Sequence, residues 1–339
     1  MGEGTERARR ERVALAAVAP LHADGPGVAV STPAAARSRL HRCSPYLPLP
    51  PRCSPAGPRP LLHRSSPCRP PPLPPLPDAP RPPSAPAQHY YPQWQGEPTS
   101  SAELLLTDEY QDRIRQYDRN ATTAVRTVPI VLGETSSYWG GGKANVSNRF
   151  ASGFWFLGQS GFLAGRGYLA MVRQDFAGGD YGLVDMEGNG FSPNPDYFTT
   201  ALYQRLVGSD VIRVDARGES ARAYAYCKRG GARGDAVVTF LNTSPEARAL
   251  RLGVNGTEGA PAAEVYELTS CGMGLQSKLA CLNGKELRVD GRTWALPAMV
   301  PRTVAPGASV SVSGHSYGFV VVPGAVPSIC NAGGAASGA

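Results

Sequence analysis

Proline is distributed so unevenly along this chain that it limits which residues can fold. Of the 33 prolines in 339 residues, 23 lie in residues 1–100 and 18 lie between Pro45 and Pro86. Proline has no backbone N–H and a fixed φ angle, so a stretch such as Pro70–Pro77 forms neither a helix nor a central strand. We therefore expect residues 1–86 to be a disordered, low-complexity arm rich in proline and arginine. The alternative is that a wrong reading frame supplies these residues.

The positive charge of the chain lies in the same arm. Residues 1–86 contain 12 arginines, no lysine and five acidic residues, so their net charge is +7, the same as for the whole chain. Residues 87–339 therefore balance, with 22 basic and 22 acidic residues. A balanced charge provides no basic surface of the kind that binds nucleic acid, and we expect no nucleic-acid partner.

Cysteines and glycosylation sequons indicate an exported protein. Four cysteines follow the arm, and an even number fits two disulfides in a secretory protein. Four Asn-X-Ser/Thr sequons are candidate glycosylation sites. The cysteines are Cys227, Cys271, Cys281 and Cys330, and the sequons begin at Asn120, Asn145, Asn242 and Asn255. No run approaches the roughly 18 apolar residues of a transmembrane helix. We expect a secreted, lysosomal or vacuolar protein, with at most peripheral membrane association.

The hydrophobic pattern changes near Gly208. Residues 89–208 alternate between helical and strand-like segments, which predicts βα units and a parallel sheet. The helices are predicted over Ser101–Tyr117, Asn145–Leu163 and Asp196–Val207, and the strands over Thr127–Leu132 and Tyr168–Arg173. After Gly208 the segments become short, alternating and separated by Gly, Pro and Asn, which is typical of an antiparallel β-sandwich.

These patterns predict the domain organisation. We predict an α/β domain over residues 87–208, an all-β sandwich over residues 209–330 and a flexible tail over residues 331–339. The sandwich strands are predicted over Val211–Val214, Ala221–Cys227, Ala236–Leu241, Ala249–Leu252, Ala262–Leu268, Leu287–Val289, Ser309–Val312 and Tyr317–Val322.

The segment Val131-Leu-Gly-Glu-Thr-Ser-Ser-Tyr-Trp-Gly-Gly-Gly142 carries the candidate chemistry. Glu134 directly follows an apolar, β-branched strand, and barrel enzymes place catalytic groups at that end of a strand. Gly140–Gly142 can present consecutive backbone N–H groups to an anion, and the rings of Tyr138 and Trp139 can contact a sugar. A lone carboxylate at a strand end is more often simply exposed, but this combination points to a glycan-binding site.

The same segment resembles the nucleophile motif of the heparanase family, glycoside hydrolase family 79, and several segments look nearer to its plant-type branch. The resemblance covers roughly residues 88–330, so it continues into the second predicted domain. Its further segments are His89–Tyr91, Phe150–Leu157, Met171–Gln174, Gly179–Asp185, Pro193–Tyr197, Leu206–Gly208, Tyr224–Cys227 and Val326–Cys330.

The resemblance implies a (β/α)8 TIM barrel followed by a β-sandwich. Such a barrel needs about 250 residues, and only residues 89–208 form predicted βα units, so we expect the C-terminal half of a barrel. The implied activity is retaining hydrolysis of β-glucuronidic bonds in a glucuronic-acid-containing polysaccharide or proteoglycan. No metal or organic cofactor is suggested.

The resemblance also implies roles for individual residues. Glu134 falls on the nucleophile, and Tyr90 falls on a tyrosine near it. Gly140, Gly141 and Tyr181 fall on the groups that hold the uronate carboxylate, and Trp139 takes a position where tyrosine is usual. Cys227 and Cys330 match a disulfide, whereas Cys271 and Cys281 either pair or stay free. Arg173 and Gln174 follow the second strand and either orient Glu134 or serve the structure.

One catalytic group implied by the resemblance is absent. The general acid/base is a glutamate in an Asn-Glu-Pro type motif on an earlier barrel strand, and no Asn-Glu pair precedes Glu134. General acid catalysis contributes about 10²- to 10⁴-fold. We therefore expect this chain to be inactive alone. The alternative is a non-catalytic fragment that binds a glycan or a partner.

Overall fold

A computed structural model of the chain describes residues 12–18, 87–124, 130–186, 191–217, 220–254, 257–258, 262–293, 295–326 and 330. The described residues form three α-helices and two short 3₁₀ helices. The helices are α1 (Asp108–Ala124), α2 (Ser152–Gly165) and α3 (Pro195–Leu206), with 3₁₀ helices at Glu103–Leu106 and Gly274–Gln276. None of the helices in these ranges has the length and apolar character that crossing a bilayer requires.

Strands account for most of the regular structure. In chain order they are β1 (Arg12–Val18), β2 (Ala87–Tyr90), β3 (Val131–Thr135), β4 (Ala170–Arg173), β5 (Val184–Asp185), β6 (Ser192–Pro193), β7 (Val207–Arg217), β8 (Ala221–Lys228), β9 (Ala236–Asn242), β10 (Arg248–Val254), β11 (Thr257–Glu258), β12 (Ala263–Ser270), β13 (Ala280–Leu282), β14 (Lys285–Glu286), β15 (Arg302–Val304), β16 (Val310–Val312) and β17 (Ser316–Val322).

The strands form three sheets. The largest contains twelve strands and runs in the order β11-β10-β1-β7-β8-β9-β17-β12-β13-β14, with β15 paired to β12 and β16 paired to β10. A separate parallel sheet has the order β2-β3-β4, and β5 pairs with β6. The fold is therefore mixed α/β, with a small parallel sheet where βα units were predicted and a large, mainly antiparallel sheet after it.

One strand lies inside the predicted arm, which differs from the expectation of a disordered segment. Arg12–Val18 forms β1 between β10, to which it is parallel, and β7, to which it is antiparallel. This segment contains valine, leucine and alanine but no proline, so every backbone N–H is available for pairing. The other residues of the predicted arm, and the predicted tail at 331–339, lie outside the described residues.

Two of the three helices begin later than the periodicity predicts. The first predicted helix is split by Thr107, whose backbone is extended with a ψ of 146°. Its hydroxyl accepts the N–H of Tyr110 at 3.2 Å, so a new helix starts there. Asn145 does not cap the second helix, because its φ of 61° lies in the left-handed region and α2 begins only at Ser152. The third predicted helix matches α3 within one residue at each end.

The predicted strands after Gly208 are observed with one exception. Leu287–Val289 forms no strand. The short strand β14, which ends just before it, pairs with β13. Leu287 is buried in the core, and its N–H donates to the carbonyl of Ala280 at 2.9 Å. An apolar pattern was present there, but it reflects side-chain burial rather than a strand.

The large sheet is buried on both faces, which sets the position of the core. Every residue of β9 and β17 is buried. Alternate residues such as Val237 and Phe319 pack towards the helices, whereas Val238 and Val320 pack towards β10 and β16. The disulfide predicted between Cys227 and Cys330 is present and spans 103 residues, so it joins β8 to the segment that follows β17. A second disulfide joins Cys271 to Cys281.

The backbone of helix α2 is in direct contact with side chains of the large sheet. Eleven of its 14 residues are buried. A Cβ atom on Gly153 would lie 2.1 Å from Cζ of Tyr317, and one on Gly161 would lie 2.1 Å from Cδ2 of Tyr224. Glycine at these positions permits an approach that any larger residue would prevent.

The predicted boundary between residues 208 and 209 stays a prediction. Strand β7 begins at Val207, directly after α3, and one core cluster contains residues from both sides of the boundary. Lys278 contacts the carboxylate of Asp185 and donates to Oδ1 of Asn194 at 2.8 Å. The two predicted domains therefore share both apolar and polar contacts.

The close approach of α2 can be tested with one substitution at two positions. Gly153→Ala is expected to lower the free energy of unfolding by about 1–3 kcal/mol, because the added methyl overpacks the core against Tyr317. Gly165→Ala, at the open end of the same helix, is expected to leave it unchanged or raise it by about 0.5–1 kcal/mol. Urea unfolding followed by circular dichroism measures both. Equal effects would contradict the close packing.

Candidate active site at the end of strand β3

The small parallel sheet brings three strand ends to one edge. In its register His89 lies opposite Glu134, Tyr90 lies opposite Thr135, and Thr135 lies opposite Arg173. Because the strands are parallel, their carboxyl ends and the loops that follow meet at the same edge. This edge therefore brings together side chains from three segments of the chain, and the strand partners named here lie 38 or more residues apart in the sequence.

Glu134 is held at this edge by two neighbours and opens into a cleft. The hydroxyl of Tyr91 donates to Oε1 of Glu134 at 2.5 Å, and Nδ1 of His89 lies 3.5 Å from Oε2. The Glu134 side chain is 32% exposed, so it is fixed and still accessible. The cleft has a volume of about 540 Å³ and is lined by His89, Tyr90, Tyr91, Pro92, Gln93, Trp94, Glu97, Glu134 and Trp139.

Tyr91, and not Tyr90, donates to the carboxylate of Glu134, whereas Tyr90 lines the same cleft and its role in substrate binding stays a prediction. The Tyr90 ring stacks on Tyr117 with 4.4 Å between centroids, and burial raises the pKa of its hydroxyl. Successive residues of a strand point to opposite sides. Tyr90 therefore faces helix α1 while Tyr91 faces Glu134.

A second tyrosine, Tyr181, lies behind Tyr91. The two rings are stacked with centroids 6.4 Å apart. Burial and then the hydrogen bond to Glu134 raise the pKa of Tyr91 well above its ordinary value. Burial also raises the pKa of Tyr181, partly offset by hydrogen bonds with Gln174 and Tyr91. Both hydroxyls therefore remain protonated, and Tyr91 remains a donor, throughout the neutral range.

The glycine run Gly140–Gly142 lies beside Tyr181. Gly140, Gly141 and Gly142 all have φ between 93° and 101°, a conformation that L side chains rarely adopt. A Cβ atom on Gly142 would lie 2.5 Å from the backbone nitrogen of Tyr181, and the carbonyl of Gly141 accepts the N–H of Asp180 at 2.6 Å. The run therefore needs glycine both for its backbone and for its contact with the Tyr181 loop.

The two aromatic residues before the glycines, Tyr138 and Trp139, differ in exposure. Tyr138 is fully buried, and its ring lies 6.3 Å from that of Tyr110, so the expectation that it contacts a sugar was wrong. Trp139 is 57% exposed and lines the cleft. The sequence reasoning missed Tyr91 and Trp94 as lining residues, although both follow the end of strand β2 just as Trp139 follows β3.

Arg173 serves the structure rather than Glu134. Its Nη2 lies 2.6 Å from Oδ2 of Asp196 and donates to the carbonyl of Tyr181 at 2.9 Å. Its guanidinium also lies 5.2 Å from the ring centroid of Trp155. Arg173 thereby joins the end of β4 to the start of α3 and to the loop that carries Tyr181. Of the two open interpretations, the structural one applies.

Helix α2 is hydrogen-bonded to the end of β3 through Gln159. Nε1 of Trp155 donates to Oε1 of Gln159 at 3.1 Å, and Nε2 of Gln159 donates to Oγ1 of Thr135 at 2.6 Å. All three side chains are buried. The residue next to Glu134 is thus hydrogen-bonded to the most buried helix of the fold.

The sequons divide by accessibility. Asn242 is buried, and its amide nitrogen donates to the carbonyls of Glu246 and Ser313 at 2.8 Å each. The Asn242 side chain is thus occupied by hydrogen bonds within the fold, whereas Asn145 is exposed, and glycosylation at both positions stays a prediction. The side chain of Asn120 and the whole of Asn255 lie outside the described residues. Among the described residues, no three His, Cys, Asp or Glu side chains cluster in a way that could hold a metal ion.

The fold is one that glycoside hydrolases adopt. The solved structure of a 4-O-α-L-rhamnosyl-β-D-glucuronidase from Fusarium oxysporum 12S superposes with a TM-score of 0.51. The match covers 70% of this chain and 52% of that chain at 16% identity, so it shows a common fold and nothing more specific. No family model matches the chain.

The sequence comparisons are more specific. The chain is 33% identical over 256 residues to heparanase from Gallus gallus and 28% identical over 246 residues to baicalin-β-D-glucuronidase from Scutellaria baicalensis. It is also 30% identical over 235 residues to inactive heparanase-2 from Homo sapiens. The chain is a homologue of the heparanases and heparanase-like glucuronidases, as the motifs predicted.

The match extends over only part of each relative. The heparanase alignment covers 71% of this chain and 47% of the relative, and the baicalin-β-D-glucuronidase alignment covers 70% and 45%. For inactive heparanase-2 the shares are 64% and 39%. The chain thus spans about half the length of the relatives it matches.

The structural role of Arg173 can be tested by stability. Arg173→Met leaves the fully buried Asp196 carboxylate without its cation, so we expect unfolding to become about 3–5 kcal/mol easier. Glu109→Ala breaks an ion pair with Arg113 in which the carboxylate is 77% exposed, and we expect at most about 1 kcal/mol. Denaturant titration of both variants measures the difference. If Arg173→Met is as mild as Glu109→Ala, Arg173 does not hold this part of the fold.

Proposed function

We propose that this chain is a heparanase-like domain of glycoside hydrolase family 79 in which Glu134 is the nucleophile of retaining β-glucuronide hydrolysis. One observation carries the proposal: Glu134 stands at the carboxyl end of the central strand of a parallel sheet, hydrogen-bonded by Tyr91 and open to a cleft. The homology of the chain to heparanases and glucuronidases supports the same chemistry. The substrate class we propose is a polysaccharide or proteoglycan that contains glucuronic acid.

The small sheet is, on this proposal, the last part of a (β/α)8 barrel. Strands β2, β3 and β4 are parallel, and helices α1 and α2 connect them in sequence, which is the repeating unit of such a barrel. The large sheet over residues 209–330 would then be the β-sandwich domain. Two disulfides support export to an oxidising compartment, where such bonds persist.

The uronate carboxylate would bind at the glycine run Gly140–Gly142. No described residue accepts a hydrogen bond from the N–H groups of Gly140 and Gly141. Backbone N–H groups of this kind bind anions well. Tyr181 lies beside them with a protonated hydroxyl. The three residues together could hold a carboxylate while its sugar ring faces Glu134.

The general acid needed by natural substrates would come from outside the described site. The cleft carboxylates among the described residues are Glu134 and Glu97, and Glu97 follows Gly96 rather than the asparagine of an Asn-Glu-Pro motif. We therefore propose that this chain alone cleaves poor leaving groups inefficiently. The alternative, a non-catalytic glycan-binding domain, is favoured by the homology to a protein named inactive heparanase-2.

Nucleophilic competence can be tested without the missing acid. A 2-deoxy-2-fluoro-β-D-glucuronide with a 2,4-dinitrophenolate leaving group needs no protonation of that group. Attack by a carboxylate oxygen of Glu134 on C1 forms an ester, the C1–O bond breaks, and dinitrophenolate leaves with the electron pair. We expect intact-mass spectrometry to show one added fluoroglucuronosyl group and peptide mapping to place it on Glu134.

The controls separate the two candidate functions. Glu134→Gln should give no adduct, because an amide is not a competent nucleophile here. Methyl β-D-glucuronide, whose leaving group needs protonation, should not be hydrolysed by the parent chain. An unlabelled parent chain that still binds methyl β-D-glucuronide would favour the non-catalytic alternative, and an adduct on another residue would remove Glu134 from the mechanism.

The assignment of Tyr91 can be tested with the neighbouring tyrosine as a matched control. Tyr91→Phe removes the donor that fixes the Glu134 carboxylate, so we expect labelling to slow by about tenfold or more. Tyr90→Phe should change the rate by less than about twofold, because positioning is retained. Stopped-flow release of dinitrophenolate measures both rates. A larger effect at Tyr90 than at Tyr91 would show that Tyr90 is the tyrosine on which Glu134 depends.

A further inference from the structure

Two exposed tryptophans flank the same cleft as Glu134. Trp94 is 51% exposed and Trp139 is 57% exposed, and both line the cleft. Large aromatic rings normally bury most of their surface on folding. Two of them left open beside a candidate nucleophile form a surface with an apolar, flat character.

The backbone brings the two residues side by side. The N–H of Trp139 donates to the carbonyl of Gln93 at 2.7 Å, and the N–H of Gln95 donates to the carbonyl of Trp139 at 3.1 Å. These bonds form a parallel bridge between Trp94 and Trp139. The pair is therefore part of the ordered edge of the sheet rather than two separate loop residues.

The ring of Trp94 is also supported from beneath. A Cβ atom on Gly96 would lie 2.4 Å from Cη2 and 2.6 Å from Cζ3 of Trp94, so the ring lies directly on the Gly96 backbone. The turn is closed by the N–H of Glu97, which donates to the carbonyl of Trp94 at 3.1 Å. The ring is thus exposed on one side and packed on the other, which reduces the entropy lost when a ligand binds.

The charges around the pair disfavour a highly anionic ligand. No Lys or Arg is among the described residues that line the cleft, and two carboxylates, Glu97 and Glu134, are. The nearby cations contact the backbone of the loop and do not line the cleft. Nζ of Lys143 donates to the carbonyl of Gln95 at 2.9 Å, and Nη1 of Arg113 donates to the carbonyl of Pro92 at 3.1 Å. A sulfated sugar would meet two carboxylates here, and His89 is the one basic side chain among the described residues that line the cleft.

We propose that Trp94 and Trp139 form a subsite for an uncharged ring attached to the glucuronic acid, either a neutral sugar or an aromatic aglycone. This rests on the proposed function, since it takes the Glu134 cleft as the place where a glucuronide binds. The subsite makes the chain selective for glucuronides whose neighbouring group is neutral over those in which it is sulfated. An apolar ring face stacked on tryptophan contributes dispersion and hydrophobic contact.

Binding to the full chain carrying Glu134→Gln tests this without turnover. Isothermal titration compares methyl β-D-glucuronide with three ligands that add a phenyl group, a galactose or a sulfated glucosamine to the same sugar. We expect the phenyl and galactose ligands to bind about three- to tenfold more tightly than the methyl ligand. The sulfated ligand should bind more weakly than the galactose ligand. A phenyl-only or galactose-only gain identifies the natural source of the ring.

Substitutions then assign the gain to the subsite. Trp94→Ala and Trp139→Ala should each reduce the gain in affinity by a larger factor than they reduce methyl glucuronide binding. Gly96→Ala should reduce the gain by moving the Trp94 ring. Met273→Ala, at a residue 79% exposed and outside the cleft, is the matched control and should change nothing. Glu97→Gln should improve binding of the sulfated ligand.

The outcomes separate this inference from the proposed function. If methyl glucuronide fails to bind but phenyl β-D-glucoside binds in a Trp94-dependent way, the subsite stands and the uronate site falls. If no ligand loses affinity in Trp94→Ala and Trp139→Ala, or the sulfated ligand binds most tightly, the subsite is overturned whatever the uronate result.

Discussion

The close contact between helix α2 and the large sheet is the constraint on which the rest of the structure depends. Gly153 and Gly161 bring the helix backbone against Tyr317 and Tyr224, and the phenol of Tyr317 donates to the carbonyl of Phe150 at 3.2 Å. A helix buried on nearly all sides gains stability from apolar burial but has no room for larger residues. Its position is therefore set by the sheet, and the small parallel sheet is set by α2.

This arrangement explains why one edge of a three-stranded sheet can be ordered enough to hold a candidate site. The buried contact from Gln159 to Thr135 fixes the side chain next to Glu134. Arg173 contacts both the Tyr181 carbonyl and the Asp196 carboxylate, so it joins the Tyr181 loop to helix α3. The rigid groups lie beneath the carboxylate. The exposed groups, Trp94 and Trp139, lie on the rim, where a ligand of the proposed class would meet them.

Much of the fold and part of the site could be predicted from local sequence. The alternation of apolar residues after Gly208 predicted most strands of the large sheet, because residue spacing alone determines which side chains share a face. The position of Glu134 after a β-branched strand predicted its place at a sheet edge. Local pattern misled where burial and strand formation diverge, as at Leu287. It also does not distinguish adjacent tyrosines that differ only in direction, as Tyr90 and Tyr91 do.

The sequence by itself determined where helix α3 and most strands after Gly208 lie, which cysteines are available to pair, and that a glutamate and a glycine run lie at the end of a strand. Only the tertiary structure decided which tyrosine contacts Glu134 and that Trp94 lies beside Trp139. It also decided that Arg173 pairs with Asp196 and does not orient Glu134. The reason is physical. Secondary structure follows from neighbours in the chain, whereas these contacts depend on register and packing between segments that lie far apart in the sequence.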